Sequence, residues 1–274
     1  MLTSPLLFCH KDVFYIISTM FNYYSLTTKK LKYKSTRRTQ ITTTSAGQKM
    51  LHVWIASHIG NQMRLKTLQA MITSLDNQKI IPNKIIVSIS SDIIDLHNID
   101  LKCKNINLTI LKQQKKLLQF EHLHSICQYD KTGEWIIFCD DDDLCSPTRI
   151  SNFIEYKNKY PKSKAFCSTM HYFYEYVANE PYDRKQFKII EKFSDTFQDY
   201  TCTSHNEFGC LHVHIDLVKE YFEKYYQDVI KVKKGFTDCN FFDFVESYGA
   251  VIIRFASDYA YRKNKFISKD YSMF

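Results

Sequence analysis

The chain has 274 residues, 45% of them hydrophobic, so it can bury one large α/β core or two small ones and is neither a disordered nor a fibrous sequence. Its net charge of +8 is uneven: residues 1–50 hold eight basic side chains (Lys11, Lys29, Lys30, Lys32, Lys34, Arg37, Arg38, Lys49) against Asp12, leaving 29 basic and 28 acidic residues in the rest. A nearly neutral body excludes a basic nucleic-acid groove built into the fold and assigns the excess charge to a tail.

Within that tail, Val13 to Tyr24 is apolar but only twelve residues long, well short of the ~20 that a spanning helix needs. It is followed by six basic residues in ten, Lys29 to Arg38, and by no small-residue cleavage site, which is a poor match to a secretory signal. Residues 1–50 therefore read as a poorly ordered or membrane-peripheral extension, with Thr39 to Gly47 as linker. The expected location is cytoplasmic, with peripheral contact to a cytoplasmic membrane face through the extension. The nine cysteines form no C-x-x-C pair and read as thiols.

From Leu51 the pattern becomes regular. Leu51 to Ala56 predicts a strand, Ser57 to Asn61 a polar turn, and Leu65, Leu68, Ile72 and Leu75 a helix at 3.6-residue spacing. Lys84 to Ser90 and Ile106 to Leu111 predict two further strands, a helix runs through Phe120, Leu123 and Cys127, and Trp135 to Cys139 predicts a fourth strand. The continuous apolar runs Ile85-Ile86-Val87 and Ile136-Ile137-Phe138 fit strands covered on both faces. The alternation predicts an α/β fold with a doubly wound, mainly parallel sheet and helices on both faces, which binds ligands beyond the carboxyl ends of its strands.

Ser146 then predicts an N-cap with Pro147 at the first helical position, the helix running through Ile150, Phe153 and Ile154. A strand follows within Lys164 to Glu175, and Tyr176 to Gln198 reads as loops and short strands. Gly209 to His214 predicts a strand, Leu217 to Tyr226 a helix, and Thr237 caps a helix with Phe241, Phe244, Val245 and Tyr248 on one stripe and Gly249 at its end. Residues 51–274 are expected to form one domain of two halves, 51–145 and 146–274.

The chemistry concentrates in WIIFCDDDDL, residues 135–144, where an apolar strand runs into four carboxylates. Adjacent like charges at the mouth of a buried strand are costly unless a cation sits among them. Mg2+ or Mn2+, which prefer oxygen ligands, suits that place. If the strand conformation persists, Asp140 and Asp142 share one side and Asp141 and Asp143 the other. One pair then holds metal and ribose while the other fixes the loop. The competing reading is a solvated acidic turn before a helix.

At these residues the sequence resembles the GT-A glycosyltransferases, family 2 in particular, over about residues 51–262. Asp140-Asp141-Asp142-Asp143-Leu144-Cys145-Ser146-Pro147-Thr148-Arg149 resembles the family's D-x-D segment with its following Pro and Arg. The resemblance implies an enzyme that moves a sugar from a UDP- or GDP-sugar to an acceptor hydroxyl of a glycan, protein or lipid, inverting by direct displacement. It implies Asp140 and Asp142 as ligands of Mn2+ or Mg2+, with Asp140 and Asp141 facing the donor. It implies Ala56, Ser57 and Arg64 beside base and diphosphate, Asp92 reading the base, 51–145 as the nucleotide-binding half and 146–274 as the acceptor-binding half; Arg149 and Arg262 are secondary candidates for phosphate contact or for surface ion pairs. In GFTDCNFFDFVESYG, Asp238 matches the family's catalytic base, although Thr237 replaces the preceding Glu. A carboxylate in a first helical turn is favoured in its ionised form, so such a base needs local desolvation. His212 and His214, two apart, are candidate additional ligands, and Gly209-Cys210 resembles an acceptor-side segment. The alternatives are a sugar-1-phosphate nucleotidyltransferase, whose Gly-rich first turn is missing from SHIGNQMR, and a non-catalytic carbohydrate-binding module of the same fold.

Overall fold

A computed structural model describes residues 50–174, 198–200, 208–232, 237–247 and 252–263. The expectations for residues 1–49, for nearly all of 176–198, and for Gly249 lie outside them. The first half of the body is strand and helix in alternation: β1 Leu51–Ile59, α1 Gln62–Asp76, β2 Lys84–Ser91, β3 Asn107–Lys112, α2 Gln119–Tyr129 and β4 Trp135–Asp140. The second half holds β5 Leu144–Cys145, α3 Arg149–Lys159, β6 Ala165–Tyr174, β7 Gln198–Tyr200, β8 Leu211–His214, α4 Ile215–Val232, α5 Thr237–Ser247 and β9 Ile252–Lys263.

These strands form one sheet in the order β3-β2-β1-β4-β8-β6-β9-β5, with β7 paired to β6. The strands β3, β2, β1 and β4 are all parallel. Beyond them the sheet is mixed: β8 runs antiparallel to β4 and β6, β9 is parallel to β6, and β5 is antiparallel to β9. The chain leaves β1 for β2 and β3 on one side and returns to β4 on the other, which puts the topological switch point at the carboxyl ends of β1 and β4. Ligands of such sheets bind there.

The burial explains why the sequence folds this way. Every residue of β1 is buried, including successive Val53, Trp54 and Ile55, so both faces of the strand are covered. On α1 the predicted stripe faces inward, with Leu68, Ile72 and Leu75 buried, and Asn61 caps the helix by accepting the Arg64 N–H at 2.9 Å. At the amino end of β1 and β4, Asp130 accepts His52 Nδ1 at 2.7 Å, Trp54 Nε1 at 3.0 Å and the Gly133 N–H at 3.0 Å. Burial disfavours that carboxylate, but these donors outweigh it and hold Asp130 well below the usual range. A Cβ at Gly133 would meet Asp130 Oδ2 at 2.7 Å and so would have to displace the carboxylate that His52 and Trp54 hold.

Three boundaries differ from the sequence reading. β1 continues through Ser57 and His58 to Ile59, because both polar side chains find buried partners across the sheet. α3 starts at Arg149, beyond a turn at Pro147 and Thr148, while the Ser146 hydroxyl accepts the Thr148 N–H at 3.3 Å, the bond expected of an N-cap. Phe208–Cys210 forms a short 3-10 turn before β8. The twelve-residue β9, which carried no clear local signal, is fixed by its long parallel pairing with β6.

Candidate functional site

The acidic run sits at the carboxyl end of β4, where Asp140 pairs in register with Ala56 of β1. Burial alternates along it. Asp141 and Asp143 are each 1% exposed, whereas Asp140 and Asp142 keep partial access to solvent. Asp141 is held by three hydrogen bonds: Ser57 Oγ donates at 2.6 Å, and Arg64 donates from Nε at 3.0 Å and from Nη2 at 2.8 Å. A third nitrogen of the same guanidinium, Nη1, donates to Asp142 Oδ2 at 2.7 Å. Arg64 thus spans two carboxylates from the first turn of α1, itself 7% exposed, and supplies a positive charge the cluster requires. Burial pushes Asp141 up, to about 6; Arg64 opposes the rise, Asp142 adds to it, and the Ser57 hydrogen bond opposes it.

Ser57 and Arg64 therefore bind the acidic loop itself. Ala56 is a small, 6% exposed neighbour of Asp140. The sequence did not point to Gln119, the first residue of α2, whose Nε2 donates to Asp140 Oδ1 at 2.7 Å. An amide just inside a helix start carries no distinctive pattern, and only the fold brings it to the end of β4. Asp92 follows β2 with its side chain 56% exposed, and His58 Nε2 lies 3.0 Å from its Oδ2.

The donor set suits a hard divalent cation in a particular way. Among the described residues no three His, Cys, Asp or Glu side chains form a ready metal cage. Two partly exposed carboxylates, Asp140 and Asp142, can hold Mg2+ or Mn2+ when substrate phosphates and water complete the shell, which is the usual manner of Mg2+ binding.

Arg149 calls for a correction. It is 0% exposed, and its guanidinium donates to the carbonyls of Phe138 at 3.2 Å and Gly209 at 2.5 Å, to the sulfurs of Cys145 at 3.1 Å and Cys139 at 3.4 Å, and to His212 Nε2 at 3.3 Å. It braces the back of the acidic loop from inside the core and cannot reach a phosphate. Burial resists ionisation of Cys145, but Cys139, Arg149 and Ser74 around it bring its thiol down to about 6.

The histidine pair is corrected too. His212 is 0% exposed and stacks on Phe153 at 4.9 Å, with its pKa driven well below 6.5 by burial and by Arg149. His214 pairs in register with Trp135, at the opposite end of β4 from Asp140, and lies 3.2 Å from Asp216. Neither meets the acidic run. Asp238 is the second residue of α5, and Arg262 stands near the end of β9.

This sheet order, with carboxylates at its switch point, is that of the GT-A class of α/β folds, the nucleotide-diphospho-sugar transferase fold. Among solved structures, the chain is similar to S. aureus TarS residues 1–349, with a TM-score of 0.51 at 12% identity over 78% of this chain and 60% of that one. The same fragment in complex with UDP gives 0.52 at 13%, over 82% and 62%. S. aureus TarS gives 0.51 at 14%, over 82% and 38%. The chain thus spans about three fifths of the TarS fragment, and at such identities the likeness concerns the fold. No curated protein matches. The model of Glycosyl transferase family 2 matches residues 61–222, more than half of the chain, and the chain belongs to that family.

Proposed function

We propose that the chain is a metal-dependent glycosyltransferase that moves a sugar from a nucleoside-diphosphate sugar to an acceptor hydroxyl with inversion. Residues 51–274 would be its catalytic unit. The observation that supports this most is the alternation at the end of β4: Asp141 and Asp143 are buried, while Asp140 and Asp142 keep partial access to solvent at the carboxyl end of the strand. When bound, the divalent cation acts as a Lewis acid toward the departing diphosphate. Asp140 and Asp142 hold it, Gln119 orients Asp140, and Arg64 orients Asp142. Asp92 accepts a hydrogen bond from the nucleotide base. Asp238, at the start of α5, accepts the proton of the attacking hydroxyl. TarS crystallised with UDP, a related fold, supports a nucleotide-linked donor.

The test is a transfer assay with UDP- and GDP-sugars, Mn2+ and a panel of glycan, peptide and lipid acceptors. For Asp238→Asn we expect donor binding to persist while turnover falls by roughly 10²- to 10⁴-fold, the usual contribution of a general base. An unchanged turnover removes Asp238 from that role.

A further inference from the structure

A chain of polar side chains runs from the interior of the parallel half to Asp92. Gln113 Nε2 lies 3.0 Å from Ser88 Oγ, Ser88 Oγ 2.8 Å from His122 Nδ1, and His122 Nε2 3.1 Å from Ser90 Oγ. Ser90 Oγ lies 2.9 Å from His58 Nδ1, and His58 Nε2 3.0 Å from Asp92 Oδ2. Ser88, Ser90 and His122 are each at most 1% exposed and His58 is 9% exposed, whereas the Asp92 side chain is 56% exposed. Four elements contribute. His58 lies on β1 directly opposite Ser90 of β2, Ser88 is on the same face of β2 two residues earlier, His122 comes from α2, and Gln113 follows β3.

The hydrogen bonds in such a chain can be assigned from its open end. An ionised carboxylate only accepts, so His58 must donate from Nε2. Neutral His58 then accepts at Nδ1, and Ser90 donates to it. Ser90 in turn accepts from His122 Nε2–H, neutral His122 accepts at Nδ1 from Ser88, and Ser88 accepts from the Gln113 amide. Both histidines are neutral for a common reason: burial lowers His122 to about 3, and burial also lowers His58, against the opposing pull of Asp92. All five hydrogen bonds then point the same way, each strengthening the next.

We infer that His58, backed by Ser90, His122, Ser88 and Gln113, is a positioning residue that holds the Asp92 carboxylate, itself an acceptor, in one orientation and so sharpens selection for nucleotides whose base offers a ring N–H. The selection rests on the proposed use of a nucleoside-diphosphate donor. Uracil and guanine carry a ring N–H on the edge that meets the carboxylate. Cytosine and adenine present a bare ring nitrogen there, which an acceptor repels. Without His58 the carboxylate still accepts but is free to turn away from the base, so the selection weakens.

Two measurements on the full chain test this. Nitrogen-15 NMR should find His58 and His122 as neutral Nε2–H tautomers in the protein without nucleotide. Either ring found as imidazolium or as the Nδ1–H tautomer at neutral pH overturns the chain of bonds, whatever the substrate. Calorimetry with UDP, GDP, CDP and ADP in the presence of Mn2+ should give UDP or GDP roughly tenfold or more over CDP and ADP, the worth of a hydrogen bond to a charged group. His58→Leu should lower that ratio, and His58→Gln should restore it, because the amide can donate to Asp92 and accept from Ser90. Ser90→Ala, a smaller change, should also reduce the ratio. A general structural defect would weaken all four nucleotides alike, and an unchanged ratio in His58→Leu and Ser90→Ala overturns the role. Failure of the wild type to bind any of the four removes both the donor reading and the selection, while the tautomers still decide separately whether the chain of bonds exists.

Discussion

The acidic loop is flanked by two buried arginines whose surroundings differ in one respect. Arg64, on the α1 side, meets the carboxylates of Asp141 and Asp142, while Arg149, on the core side, meets carbonyls, sulfurs and an imidazole. Both are almost fully enclosed. The difference teaches how one charge type serves two ends: an arginine paired with carboxylates shapes a charged site, and an arginine held by carbonyls and sulfurs ties strands together. Its net positive charge also lies within the core side of a loop that carries four negative ones, where it favours the carboxylates without touching a ligand.

Mutation should separate the two. We expect the largest effect from Arg64→Met, because it strands a buried Asp141 without its counter-charge. A loss of about 3–5 kcal/mol in urea unfolding at neutral pH is the scale for that defect, and the double variant Arg64→Met, Asp141→Leu should recover most of it. Arg149→Met should cost less, about 1–3 kcal/mol, since it leaves carbonyls short of hydrogen bonds and a Cys145 thiol that can take up a proton in place of its partner. Equal losses in the two single variants, or no recovery in the double, would erase the distinction between the flanks.

The smallest effect is one of pH, and it sharpens the contrast between the loop and the polar chain behind Asp92. His122 titrates near 3 when folded and near 6.5 when unfolded. The unfolded state therefore binds more protons between those values, so stability is complete above 6.5 and is lost as pH falls below it. This one group contributes up to about 1.4 kcal/mol per pH unit. His122→Gln cannot titrate and should reduce the slope of unfolding free energy between pH 6.5 and 5 relative to the wild type, while His58, His212 and Asp141 keep their own contributions. An equal slope in the variant would show that His122 is not the group responsible.

Much of this architecture was legible in the sequence, and the exceptions have physical causes. Continuous apolar runs located β2 and β4, and the acidic run located the site. The reading of β1 stopped at Ala56 because Ser57 and His58 look like turn residues; they are strand residues whose polarity is satisfied by Asp141 and Ser90. Arg149 read as a phosphate contact because an Arg after an acidic run has the right composition, and only the packing of Gly209 and Phe138 around it shows its other use. One signal was present and unread: Ser88 and Ser90 alternate within KIIVSIS, an otherwise buried strand, and buried hydroxyls imply partners.

The most direct test of the proposed site is calorimetric binding of UDP and GDP with and without Mn2+, in the wild type and in Asp142→Ala. We expect wild-type binding that strengthens by tenfold or more with Mn2+, and a folded Asp142→Ala protein in which the metal no longer matters. Binding that is equally tight with and without Mn2+, or a metal effect that survives in Asp142→Ala, would contradict a role for this carboxylate in holding the cation.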